Sequence, residues 1–436
     1  MAKAPEMFVV VMVMMSLSSA AARVLSAADA SYSGKVLLVS MDGFRWDYVN
    51  KVSGLGNFTR MRTSGVTVDY VNPTFATKTY PGHYTIATGL YEENHGIVAN
   101  YMYDPVRNAT FHKTRSKESF WFGGQPIWVT AVSQGKQAGV LYWPGGDVEI
   151  GGHWPTMWEP NNDSIPFPDR VEKALSWFTD HDMDFVALYF NQPDSVGHYF
   201  GPDSPEVAEK VREMDGILGL ILDGLETRGL SDVNLILTSD HGMAAIDMQK
   251  KLIDLWDVID ASMVDRVVDS GTLTAILPAE GREEDVVAAL RNQSHMTVYR
   301  KEEIPENFHY KHNPRIMPVI VQTEPGWELS ANINITLWWN SKGNHGYNST
   351  LPSMKPIFFA RGPDFRKGVN STFISQVDIY ALMCRLLNVK PAPNNGSLLS
   401  TAHFLSDADQ PTGAAGKVYM HLALVHFMAS AFLFLV

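Results

Sequence analysis

The chain of 436 residues predicts an α/β fold, a central and mostly parallel sheet flanked by helices, carried by a single domain over residues 34–400. Three observations predict it. Short apolar runs recur at Lys35–Met41, Met183–Phe190 and Val233–Thr238, each too short for a typical helix and continuous enough for a strand buried on both faces. Between the last two, Val207, Val211, Met214, Leu218, Leu222 and Leu225 recur at steps of three or four, which predicts a helix from Pro205 to Leu225 with Gly229 past its end. Each apolar run also leads into a carboxylate: Asp42 after the first, Asp194 after the second, Asp240 after the third. Ligands of open α/β sheets bind beyond the carboxyl ends of the strands, so the three acids are expected to converge on one edge.

Composition sets the outer limits. Charged residues are 19% and hydrophobic residues 45%, enough apolar surface for a sizeable core and against general disorder. The formal net charge of −12 excludes a nucleic-acid partner gripped through a broad basic face, though a bound metal can still dominate the field of one pocket.

At the N-terminus, Lys3 precedes an apolar run from Phe8 to Leu17, and Ala20 and Ala22 form a small-residue cleavage pattern. This predicts a signal peptide over residues 1–22, with an alternative end near 28. Eight Asn-x-Ser/Thr sequons, at Asn57, Asn108, Asn162, Asn292, Asn334, Asn348, Asn370 and Asn395, suit an exported chain. The single cysteine, Cys384, lies in the apolar segment Tyr380–Leu387 and reads as a buried structural thiol. At the C-terminus a polar spacer (401–417) leads to a hydrophobic tail (418–436) with no basic residue after it. Small residues at Ser406, Asp407 and Ala408, the spacer and the tail follow the order of a glycolipid-anchor signal; a single membrane span is the alternative. Either predicts a chain tethered at the extracellular face of the cell membrane.

Carboxylates and imidazoles together suit zinc or a transition metal better than calcium or magnesium. Asp194 and His198 are four apart, but Gly197 between them predicts a loop rather than a helical pair. Asp240 and His241 are adjacent before Gly242, and His345 sits in the tight segment Gly343–Tyr347. In Thr77-Lys-Thr-Tyr-Pro-Gly-His-Tyr84 a turn precedes a helix-compatible stretch. A threonine at that helix start is read equally well as a plain N-cap or as a nucleophile beside anion-stabilising donors.

Six blocks in order, Met41–Trp46, Thr77–His83, Glu93–Asn100, Pro193–Pro202, Ser239–Met243 and Asn344–Tyr347, resemble the ecto-nucleotide pyrophosphatase/phosphodiesterase family. The resemblance runs from about Lys35 to about Ser397 and implies an alkaline-phosphatase-like fold with two Zn²⁺ ions. It implies that Asp194, His198 and His345 hold one zinc, and that Asp42, Asp240 and His241 hold the other. Thr79 becomes the nucleophile touching the second zinc, and Asn100 together with backbone N–H groups near Thr79 stabilises a phosphoryl oxygen. Thr77 is not the family position.

Family members divide between nucleotides and choline-headgroup lipids. By ungapped count from Trp143-Pro-Gly-Gly146, the base-stacking position falls on Asn161, and a phosphate-binding lysine is missing near Glu118-Ser119. Leu188–His198, Tyr142–Val148, Phe308–Arg315 and the Ile333-Asn334 region resemble the intestinal alkaline sphingomyelinase branch, and Gly82 stands where many nucleotide-cleaving members have asparagine. Tyr80 and Tyr189 are expected near the metals, where they would face a choline ammonium or serve ordinary packing. The expectation is therefore a phospholipase C-type cut of a choline phospholipid such as sphingomyelin. The alternatives are a nucleotide phosphodiesterase and a non-catalytic surface binding protein.

Overall fold

In the computed structural model the described residues are 32–406; the expected signal peptide, the apolar tail and the spacer beyond residue 406 lie outside them. Residues Tyr32–Thr401 form one compact unit. Of the remaining unit only 402–406 are described, with a short 3₁₀ turn at Ala402–Phe404.

The apolar run Lys35–Met41 is the centre of an eight-stranded sheet. It pairs in parallel with Phe185–Phe190 on one side and Val233–Thr238 on the other. All three strands are almost wholly buried, which is why they lack the polar alternation of a half-exposed strand. Beyond Phe185–Phe190 the sheet continues in parallel through Ala138–Leu141 to Met157–Glu159. On the other side Phe358–Arg361 runs antiparallel between Val233–Thr238 and Val66–Asn72, and Val369–Ser375 closes that edge in parallel.

The predicted helix spans Pro205–Thr227. Ser204 caps it by accepting the Val207 N–H, Pro205 fills its first position, and the predicted apolar stripe is its buried face. It packs against Phe167–Asp180, another helix with one apolar face. The loop predicted around Gly197 is a helix, Asp194–Phe200. A Cβ at Gly197 would stand 3.2 Å from the Met243 side chain, a tight contact.

A second sheet of four antiparallel strands lies between Asp240 and His345 in the chain, ordered Val264–Asp269, Leu273–Pro278, Val319–Thr323, Met296–Arg300. The helix Glu283–Arg291 covers it, and Ile276, Val286, Leu290, Val319 and Val321 form its core. Nothing in the apolar periodicity had separated this sheet from the main one. Cys384 is buried and unpaired, with burial pushing its thiol up to about 12. None of the eight sequon asparagines is buried.

Glu92 lies under the segment that leads to Thr77–Thr79 and accepts the Ala76 N–H at 2.9 Å. Burial pushes its carboxyl up to about 7, against the pull of that hydrogen bond. The native state therefore holds the proton more tightly than an unfolded chain, whose glutamate titrates at about 4.3. This group's contribution is complete below that unfolded value and is lost as pH rises through the folded one. Glu92→Gln is expected to melt progressively higher than the parent as pH goes from 5 to 8.5, by an increment on the order of 2–3 kcal/mol in stability. A parent-to-variant difference that stays flat over that range in thermal unfolding would refute it.

Candidate active site

Parallel registry brings the acids together. Met41 pairs with Phe190, and Ser40 with Thr238, so the three strands end level with one another. The Asp42 N–H continues the ladder to Phe190 O (2.9 Å), and the Asp194 N–H donates to Asp42 O (3.0 Å). Gly43 follows with φ +64°, and a Cβ there would lie 2.8 Å from Asp194 Cβ. The turn thus needs a residue that accepts positive φ and presents no side chain to Asp194.

His241 lies at the middle of the cluster. Its Nε2 is 3.0 Å from Asp240 Oδ2 and 3.4 Å from Asp42 Oδ1. Its ring stacks on His345 at 3.6 Å between centroids. His345 Nε2 is 3.7 Å from Asp194 Oδ1, and His198 Nε2 is 3.5 Å from Asp194 Oδ2. Two groups have ligand atoms mutually within 4.8 Å: Asp42, Asp240 and His241, and Asp194, His241 and His345. The first is the trio expected for one metal. In the second, His241 takes the place expected for His198, because His198 stands one helical turn beyond Asp194 and approaches the other carboxylate oxygen.

These residues fit a metal centre on two independent grounds. Asp42 Oδ1, Asp194 Oδ1, Asp240 Oδ2 and His241 Nε2 are buried without hydrogen-bond partners, and these are the atoms that face one another. Unpaired buried polar atoms are costly, and their convergence on one spot is what a cation relieves. Second, the outer nitrogens of all three imidazoles are committed. Nδ1 of His198 donates to Gly343 O, that of His241 to Gly242 O and that of His345 to Thr77 O, each at 2.8 Å. Each ring therefore carries its proton on Nδ1 and presents the Nε2 lone pair inward, the tautomer a metal ligand requires.

The electrostatics carry the same strain. Burial, with repulsion from Asp240 and Asp194, holds the Asp42 carboxyl well above the usual range. Asp194 is raised to about 6, first by burial. Burial and the neighbouring His241 and His198 drive the His345 ring well below its ordinary value.

Thr79 opens the helix Thr79–Thr88, with Lys78 at the N-cap and no side-chain cap, so the plain N-cap reading fails. The two threonines of the motif do different things. Thr77 Oγ1 donates to Tyr347 O (2.9 Å) and accepts the Gly346 N–H (3.0 Å), locking the loop that carries His345. The Thr79 hydroxyl has no hydrogen bond among the described residues. The Asn100 side chain accepts the Tyr80 N–H at Oδ1 (2.9 Å), which fixes the amide so that Nδ2 is its free end. The backbone donor expected beside Thr79 is therefore spent on orienting Asn100.

Tyr189 has a task other than the expected cation-facing one. It is buried, its hydroxyl donates to Asp42 Oδ2 at 2.6 Å, and its ring meets His83 edge-on at 5.1 Å. Tyr80 is half-buried and packs edge-on against Phe111. Asn161 is exposed, its amide bonded to Asp163. Sequence reasoning also missed three supporting groups. His83 Nδ1 lies 2.7 Å from Thr79 O and 3.3 Å from Asp240 Oδ2; its i+4 spacing from Thr79 was the available signal. Lys78 Nζ is held by Asp269 Oδ2 (2.6 Å) and Leu273 O (3.1 Å), which ties the second sheet to the helix start. Arg315 gathers the carbonyls of Gly96, Phe120 and Trp121 with the Asp104 carboxylate, bracing the segment around Asn100.

The family model described as type I phosphodiesterase / nucleotide pyrophosphatase matches residues 36–348. Human ectonucleotide pyrophosphatase/phosphodiesterase family member 5 is 42% identical over 380 residues, covering 86% of this chain and 78% of that protein. Mouse bis(5'-adenosyl)-triphosphatase is 41% identical over 390 residues, 88% of this chain and 83% of that one. Human family member 7 is 38% identical over 379 residues, 84% and 82% of the two chains. A solved structure of murine ectonucleotide pyrophosphatase/phosphodiesterase 5, an inactive threonine-to-alanine form in complex with AMP, superposes with a TM-score of 0.81 at 42% identity, covering 85% of this chain and 100% of that one. The matched region runs from the central strand past His345 and takes in every residue of the cluster, and the protein belongs to the ecto-nucleotide pyrophosphatase/phosphodiesterase family.

Proposed function

We propose that this protein is a two-zinc ectophosphodiesterase that cleaves nucleotide substrates at a phosphodiester or phosphoanhydride bond, through a phospho-threonine intermediate on Thr79. The observation that carries it is an uncommitted hydroxyl at the head of a helix, beside a buried cluster of carboxylates and imidazoles whose inward atoms lack partners. Asp42, Asp240 and His241 are assigned to one zinc, and Asp194, His198 and His345 to the other. When bound, the ions lower the pKa of a hydroxyl and stabilise charge on phosphoryl oxygens.

The chain's own residues divide the remaining work. Thr79 Oγ attacks phosphorus in line. Its bond to phosphorus forms as the bond to the leaving oxygen breaks, and the hydroxyl proton leaves to solvent. Water then cleaves the Thr79–phosphate ester and restores the hydroxyl. Asn100 Nδ2 donates to a non-bridging oxygen, held to that direction by the Tyr80 N–H. Tyr189 orients Asp42 through its hydroxyl, and the Gly43 N–H and Ser239 hydroxyl hold the other oxygen of Asp240.

For the substrate, relatives named as bis(5'-adenosyl)-triphosphatases and a neighbour solved with AMP support nucleotides over the choline lipids first expected. The side chains agree with that preference. A choline cage needs open aromatic faces, whereas Tyr189 is buried against His83 with its hydroxyl on Asp42, and Tyr80 leans on Phe111. Family member 7, at 38% identity, keeps the lipid reading as the second one to test. Relatives named as ectonucleotide enzymes support action outside the cell. No helix among the described residues is long and apolar enough to cross a membrane, so a tether would depend on the tail outside them.

Thr79→Ala is expected to abolish turnover while zinc stoichiometry stays at the parent value, since the six side-chain ligands remain; measurable turnover would remove Thr79 as nucleophile. Tyr189→Phe should weaken zinc binding about 10-fold or more by releasing Asp42, read as competition with a chelator; unchanged affinity would reduce the contact to packing. Assayed side by side with zinc, the ectodomain is expected to turn over p-nitrophenyl thymidine monophosphate faster than sphingomyelin in mixed micelles. Faster phosphocholine release would restore the lipid reading.

A further inference from the structure

Five of the seven residues in the helix Ile333–Trp339 are apolar, yet none of the seven is buried. A helix of that composition ordinarily lies inside a core. Asn332 caps its start by accepting the Ile335 N–H (3.3 Å), and Asn340 ends it in the left-handed conformation at φ +44°. Between these caps Ile335 is 63% exposed, Trp338 79% and Trp339 56%. The face continues onto the helix that carries Asp194 and His198, where the exposed Tyr199 ring lies 6.2 Å from Trp339. An exposed apolar face of this kind is either covered or prone to association.

The sequence supplies a cover. Asn334-Ile-Thr336 is an N-glycosylation sequon within the helix itself. Asn334 is exposed, and among the described residues its side-chain amide makes no hydrogen bond. Trp338 follows four residues later, one helical turn away, so the two side chains are surface neighbours. Asn57 is the opposite case. Its Nδ2 donates to the Asp215 carbonyl (2.9 Å) and to Asp215 Oδ2 (3.2 Å), and a Cβ on Gly219 would stand 2.7 Å from it. Both of its amide hydrogens are spent, and the helix Pro205–Thr227 occupies the space a sugar would need.

We propose that Asn334 carries an N-linked glycan whose first N-acetylglucosamine lies over Trp338 and covers this apolar face. The inference rests on action outside the cell. The donor is an oligosaccharide on a lipid-linked diphosphate, transferred by the enzyme of the export route that recognises the sequon. The bond from Asn334 Nδ2 to the anomeric carbon forms and the bond from that carbon to the diphosphate oxygen breaks. The electron pair leaves with the diphosphate, Nδ2 gives up one proton, and nothing is oxidised or reduced. Once attached, the sugar lays its C–H face on the indole and removes apolar area from water, while its hydroxyls meet solvent.

The test uses the full chain made in a eukaryotic secretory cell. Glycans are released by peptide N-glycosidase in heavy-oxygen water, which turns each occupied asparagine into a labelled aspartate, and peptides are read by mass spectrometry. Label is expected at Asn334 and not at Asn57. An unlabelled Asn334 beside other labelled sequons overturns the proposal and leaves export intact; a chain with no label at any sequon overturns both. Cover is tested with Asn334→Gln, an exposed position whose change leaves the fold alone. Sedimentation velocity is expected to show this variant shifted to larger species than the parent, and Asn334→Gln with Trp338→Ser to reverse the shift. A bare variant that sediments as the parent does, after allowance for the lost sugar mass, overturns the covering role.

Discussion

Three carboxylates at the same edge of one sheet, Asp42 and Asp240 buried and Asp194 partly so, are the constraint around which this protein is built. A single buried carboxylate is costly unless it is paired or hydrogen-bonded. Here Asp42, Asp194 and Asp240 face one another with oxygens that no protein donor reaches. The backbone permits no escape. Asp42 continues a ladder bond to Phe190, Asp194 is bonded to the Asp42 carbonyl, and Gly43 leaves no space between them. The sheet, which is stable because its central strands are buried on both faces, thus holds together charges that would otherwise move apart. These are groups that could hold a metal ion, and bound cationic charge is the natural counterweight to them.

The imidazoles show how the surrounding loops serve this edge. Each inward Nε2 exists because an outward Nδ1–H has been given to a carbonyl: Gly343, Gly242 or Thr77. The segment Thr77–Tyr80 is fixed with equal economy. Thr77 locks the loop bearing His345, Lys78 is gripped by the second sheet through Asp269, and the Tyr80 N–H aims Asn100. Among the described residues the Thr79 hydroxyl has no hydrogen bond. Positioning of this kind is where catalysts of phosphoryl transfer gain most. It also gives the four-stranded sheet, inserted between Asp240 and His345, a direct hold on the head of the helix that Thr79 opens.

Substrate preference lies in a thinner layer. Tyr189 is absorbed into supporting Asp42, Tyr80 into packing on Phe111, and Asn161 offers an amide rather than a ring. What remains available at the mouth is polar: the Asn100 Nδ2, held to its direction by the Tyr80 N–H. Such a mouth is better suited to phosphates than to a quaternary ammonium, and it is consistent with a chain whose overall charge is −12 because the preference is local.

The sequence by itself determined the parts that depend on local pattern. Continuous apolar runs marked the strands Lys35–Met41 and Val233–Thr238, the stripe from Val207 to Leu225 marked its helix, and carboxylates at three strand ends marked the site, because strand order in such sheets decides where ligands bind. It could not decide what depends on neighbours distant in the chain. Gly197 read as a helix breaker, whereas it lies inside a helix with Met243 packed closely against it. For Tyr189 the sequence left a cation-facing and a packing role equally open, and neither pointed to its hydroxyl donating to Asp42, 147 positions away. Periodicity reports which way a side chain faces; which atoms it meets, and whether its charge is already spent, is settled only by tertiary packing.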